Sequence, residues 1–183
     1  MGSDGPRRKE KPAALLFGAL PAELKPSAAE KRQLAAFANT LSARVAEGRE
    51  FTCLIADDRE LLRLNYAFLG HEYPTDVLSF PSQAEPSQTE SAASTASDIG
   101  EIAISMERAA AQAHEFGHAP FDELRILMLH GLLHLIGLDH ERDNGEMALA
   151  EQRWRSEFQL PQTLIARVRR LHAHKTHRGV QAL

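Results

Sequence analysis

The sequence holds a single cysteine, Cys53. No internal disulfide framework can form, which fits a reducing compartment. No apolar run is long enough to span a bilayer, so no membrane partner is expected. No N-terminal apolar stretch follows a basic region as a secretory signal requires, and a cytoplasmic location is the expectation. There is no excess of positive charge either: the net charge is -4, which does not announce a nucleic-acid binder. The distribution is less even than the sum, because residues 166–183 carry five Lys or Arg, three His and no acid. No internal repeat is present. What remains is 183 residues, 43% hydrophobic and 25% charged, ordinary values for a globular chain of one domain with a real core.

In chain order, residues 1–12 are polar and Pro- and Gly-bearing, and read as a disordered tail. Ala13–Ala19 reads as a first short strand. Ser27, with Glu30 three residues on, forms a capping-box pattern before a helix over Ala28–Ala46. The run Phe51–Ala56 reads as a buried strand. Asp57 and Asp58 then cap a helix over Arg59–Leu69. Val77–Phe80 and Ile99–Ile104 read as strands, separated by a small and polar stretch, residues 81–98, expected to be a length-tolerant surface loop. Ser105 caps a helix to Phe116. A strongly apolar helix is expected over Asp122–Ile136, too apolar for a surface position and therefore central. Glu146–Phe158 is a further helix, and Pro161 starts a short last one. The fold class is α+β, a small four-stranded mixed sheet packed with five to six helices. One domain over residues 13–170 is expected, with a basic, His-rich tail at 171–183.

The central helix carries His130-Gly131-Leu132-Leu133-His134, followed by Gly137 and His140. His130 and His134 are four residues apart, so both imidazoles leave one helix face. Gly137 suits the left-handed residue that ends a helix, and the turn it permits returns His140 to the same point. Three neutral imidazoles with one open position are the ligand set of a catalytic zinc, which places one Zn2+ on this helix and the turn after it. Asp139, next to a ligand, is a candidate for the outer carboxylate that orients a zinc-bound ring.

Gly131 decides between chemistries. Zinc peptidases of the H-E-x-x-H type carry glutamate directly after the first histidine, as general base. Here the metal spacing survives and that base is missing. Peptide hydrolysis becomes the weaker reading and phosphodiester cleavage the stronger one.

The stretch H-G-x-L-H-L-x-G-x-D-H resembles the motif of the YbeY endoribonucleases. The resemblance extends to Asn65, to Pro74–Pro81 (PTDVLSFP), to Ile99–Ser105 (IGEIAIS), to Ala113–His118 and to Glu146–Pro161. It implies an α+β fold, one zinc on His130, His134 and His140, and cleavage of single-stranded RNA. It further implies a part in 3′-end maturation of ribosomal RNA, that of the small subunit, and in ribosome quality control, with the ribosome or its proteins as partners. A metalloprotease-like hydrolase and a ribosome-associated binding factor with weak nuclease activity are the alternatives.

The same resemblance implies an aromatic residue followed by Arg at the end of the helix after Asn65. This chain has Phe68-Leu69. Arg59, Arg63 and His71 are the neighbouring candidates for contacting phosphate. Thr75 and Asp76 are substrate-groove candidates by resemblance, and His118 is a further RNA-contact candidate. The basic tail, if it has a role, touches RNA phosphates, because positive charge without acids attracts the backbone regardless of sequence. Trp154 is expected in the core.

Overall fold

The computed structural model describes residues 13–82, 98–140 and 142–161. The expectations for residues 1–12, for 83–97 of the polar loop and for the chain after Pro161 lie outside them.

The elements follow in the order β1 (Ala14–Phe17), a 3-10 turn (Ala22–Leu24), α1 (Ala28–Arg44), β2 (Glu50–Ala56), α2 (Asp58–Leu69), β3 (Val77–Pro81), β4 (Asp98–Ser105), α3 (Met106–Phe116), α4 (Pro120–Leu135) and α5 (Glu146–Glu157). The strands form one sheet in the order β1-β2-β4-β3, with β1, β2 and β4 parallel and β3 antiparallel on the edge. The mixed α+β architecture expected from the sequence is the one observed.

Local chemistry sets most boundaries. Ser27 and Glu30 form the full capping box at the start of α1. Asp57 alone caps α2 through Glu60 N–H at 2.9 Å, and Asp58 is already helical. Ser105 ends β4 and caps α3 through Arg108 N–H at 3.1 Å. Helix α4, expected from Asp122, starts two residues earlier at Pro120, where the missing N–H costs nothing. The expected loop at 81–98 also yields residues at both ends: Pro81 extends β3, Asp98 opens β4, and Ser82 N–H donates to Ile99 O at 3.1 Å.

The two faces of the sheet are unequal. Phe51, Cys53 and Ile55 of β2, with Ile102 and Ile104 of β4, point into the main core shared with α1 and α4. Ala56, Leu78 and Ala103 point the other way, onto Leu61 of α2, in a much smaller cluster. Trp154, on α5, packs at the margin of the main core beside Phe158, as expected of a core residue. Helix α4 is buried on nearly every side, from Glu123 to Leu135.

Gly131 is the point where α4 lies closest to the sheet. A Cβ at this position would sit 2.8 Å from Ile102 Cγ2 and 3.1 Å from Ser79 Oγ. Ser79 Oγ also donates to Gly131 O at 3.1 Å, tying the edge strand to the helix. Gly131→Ala is therefore expected to destabilise the chain. Overpacking costs about 1–3 kcal/mol, against roughly 1 kcal/mol that alanine gains over glycine in a helix. In urea melts the variant should unfold at lower denaturant. Ile102→Ala should cost less in that background than in the wild type, and additive losses would refute the contact as the cause.

Candidate metal centre

The three histidines of the motif meet. Their ligating nitrogens all lie within 4.8 Å of one another, and the ring centroids are 4.8, 5.7 and 5.4 Å apart. A tetrahedral zinc with bonds of 2.0–2.1 Å holds its nitrogens about 3.4 Å apart, so the rings need close by only the order of 1 Å. Together with the donor set of three imidazoles, this fits zinc.

The turn that returns His140 can be traced bond by bond. Gly137 has φ +95°. Its N–H donates to His134 O at 3.0 Å, and Leu138 N–H donates to Leu133 O at 3.0 Å. These two bonds form a Schellman motif, which needs the left-handed residue that glycine supplies. Leu138 then packs against the main core, which fixes the exit direction of the chain.

His130 is buried, and its Nδ1 lies 3.3 Å from Oε2 of Glu151, a carboxylate with 0% exposure on α5. With Nδ1–H donated to that acid, Nε2 carries the lone pair that faces the cluster. Burial, and then the neighbouring rings His130 and His140, push His134 down to about 4, against the opposing pull of Asp139 and a backbone hydrogen bond with Leu138. The ring is therefore neutral, and able to ligate, at physiological pH.

The cluster opens into a groove of about 1210 Å³ between the C-terminal end of α2, the edge strand β3 and residues 137–140 and 142–144. Asp139, His71, Thr75, Asp76 and Leu69 all line it. Asp139 contacts Arg142, its Oδ2 lying 3.5 Å from Nε. Asp76 is occupied locally: Oδ1 accepts from Val77 N–H at 2.9 Å and from Thr75 Oγ1 at 3.1 Å, and Oδ2 accepts from Gln112 at 2.8 Å. Asp143 holds the start of α5 through Met147 N–H at 2.7 Å and Gly145 N–H at 2.8 Å, bonds that keep its carboxyl below the usual range.

Other sequence candidates lie elsewhere. Arg59 and Arg63 line a shallow apolar depression with Leu62 and Tyr66. At ~100° per residue, Arg63 is on the opposite side of α2 from Asn65, which faces the groove. Arg63 is also forked onto Glu60, at 2.7 and 2.9 Å. His118 is absent from the groove wall, and its Nε2 lies 2.5 Å from the buried carboxylate of Glu123. The carboxylate that meets a ring of the cluster at hydrogen-bond distance is Glu151, which lies outside the motif. The signal was there: Met147, Glu151 and Arg155 recur every four residues and form the buried stripe of α5.

A family model described as Endoribonuclease YbeY matches residues 23–159. The Endoribonuclease YbeY of Solibacter usitatus is 46% identical over 156 residues, covering 85% of this chain and 95% of that protein. That of Nautilia profundicola is 43% identical over 119 residues, 65% of this chain and 79% of its own length. That of Chloroflexus aggregans is 44% identical over 119 residues, 65% of this chain and 78% of its own length.

Glu151→Gln keeps the shape of the outer acid and removes its charge. It should weaken zinc binding about 10–100-fold, the usual loss for such a partner, when measured by competition with a chromophoric chelator. Unchanged affinity would show that the carboxylate does not support His130.

Proposed function

The chain belongs to the YbeY endoribonuclease family, and we propose that it is a zinc-dependent endoribonuclease that cuts single-stranded RNA, with small-subunit ribosomal RNA as substrate and the ribosome as partner. The observation that carries this reading is a three-histidine site in an open groove, on a helix whose Gly131 position has no room for a glutamate. A peptidase of the same spacing needs its base there, and even a Cβ at that point meets Ile102 at 2.8 Å. The matched family and the relatives' printed activity supply the substrate class. The reading assigns the activity to residues 13–170, in the cytoplasm, with the tail from 171 as an auxiliary phosphate contact.

Zinc bound at His130, His134 and His140 would bring the pKa of a coordinated water to about 7 and polarise a phosphoryl oxygen. The chain's own residues do the rest. Glu151 orients His130, and the turn at Gly137 presents His140. Thr75 and Asp76 shape the groove wall facing the strand. Arg142 is the phosphate contact, because it is the one Lys or Arg among the described residues lining the groove. It is well exposed and held only loosely to Asp139, so it can turn to a phosphate.

The test pairs metal analysis with cleavage of a single-stranded ribosomal RNA fragment. Wild type should hold about one zinc per chain and cut the RNA, while His130→Ala should lose both. Equal cleavage by the two proteins, or casein hydrolysis without RNA cleavage, would refute the reading. A 2′,3′-cyclic phosphate on the product would assign the attack to the RNA's own 2′-hydroxyl.

Arg142→Ala should weaken RNA binding and flatten the salt dependence by about one unit of slope, as expected for one lost phosphate contact. Arg63→Ala, on the outer face of α2, should leave both unchanged. Equal effects of the two variants would remove Arg142 from the site.

A further inference from the structure

The segment after α2 presents aromatic rings to the groove. His71 and Tyr73 stack on one another with centroids 5.2 Å apart and planes within 11°. The Tyr73 hydroxyl lies 3.5 Å from His71 Nδ1. Both residues are exposed, Tyr73 at 57%, and both line the same groove as the three histidines.

The pair is anchored from behind. Asn65 is 1% exposed, and its side chain donates to Tyr73 O at 2.7 Å. His71 N–H reaches back to Asn65 O at 3.4 Å. Pro74 follows directly and limits the backbone of the residue before it. The rings are therefore stacked on one another above an anchored backbone, which lowers the ordering cost of a ligand that adds to the stack.

We propose that the His71–Tyr73 stack is a platform for an unpaired base of the RNA strand whose phosphate lies at the histidine cluster. This rests on the endoribonuclease reading above and adds the feature that selects single strands. A base within a duplex has its faces covered by its neighbours, whereas an unpaired base offers a face to an aromatic ring. Stacking of this kind tolerates any sequence, because every base has a π-face. Continuity with the metal groove makes a nucleobase the occupant rather than an apolar peptide. A phosphate at the cluster places the adjoining bases along the same wall.

The experiment measures binding of the zinc-loaded full chain to a labelled 2′-O-methylated oligoadenylate. It is repeated with strands carrying an abasic residue at each successive position. Tyr73→Ala should weaken binding of the intact strand about tenfold, and Tyr73→Phe should not. One abasic position should weaken wild type by a similar factor yet cost Tyr73→Ala nothing further. That non-additivity is something a merely structural loss would not produce. If Tyr73→Ala binds as wild type does, or if its loss adds to every abasic loss, the platform is overturned while the endoribonuclease reading stands. If wild type binds the intact strand no better than its duplex with a complementary strand, the single-strand reading falls, and the platform with it.

Discussion

The approach of α4 to the sheet at Gly131 is the constraint on which the rest of the molecule depends. The helix runs through the core, so its position is fixed by packing on all sides rather than by any one bond. At Gly131 the packing has no slack, with Ile102 and Ser79 in the space a methyl group would take. That contact sets the depth of the helix, and with it the depth of His130, one residue earlier. His130 comes out 6% exposed, open to the groove yet deep enough to meet a buried acid. A packing requirement thus also decides chemistry. The position where a peptidase of this spacing keeps its base is filled by the neighbouring strand.

From that helix the metal centre is assembled by three independent devices. Helical spacing pairs His130 with His134. The Schellman turn at Gly137 folds the chain back to bring His140 across. Glu151 reaches in from α5 and fixes one ring's tautomer. Each draws on a different part of the sequence, and each is supported by core packing: Leu138 behind the turn, Met147 and Arg155 beside Glu151. The cluster is consequently gathered by the fold, and the entropy of bringing three rings together is met during folding rather than at metal binding.

Much of this was legible in the sequence because it is local. The capping box at Ser27, the i,i+4 histidines and the glycine before His140 are short-range rules with one geometric outcome each. Long-range facts were less legible. Nothing in the motif says which acid comes back to His130, since that depends on how α5 packs on α4. The placement of the cations is long-range in the same way. Arg59 and Arg63 are near Leu69 in sequence, but the helix turns them to its outer face. Arg142 reaches the groove from a turn more than seventy positions later. His118, an RNA-contact candidate from the sequence, meets the buried Glu123 at the start of α4. Periodicity constrains a side chain's direction on its own element; it does not say which other element lies in that direction.

The groove poses an electrostatic problem for its proposed substrate. Asp76, Glu115, Asp139, Asp143 and Glu146 line it, against Arg142 as the one Lys or Arg among the described residues. Two of those acids are less hostile to a phosphate than their charge suggests. Asp76 is bonded to Val77, Thr75 and Gln112, and Asp143 to two backbone amides of the α5 entry, so their lone pairs are already engaged. Leu69, 56% exposed on the wall, adds no charge of either sign. On the endoribonuclease reading, the metal is then the strongest local positive charge and Arg142 the second. Within the groove, affinity for the rest of the strand then comes from contacts that do not depend on charge. Exposed aromatic rings on the same wall are contacts of that kind. A groove built this way couples RNA binding to metal occupancy, because without the ion the phosphates meet mainly acids.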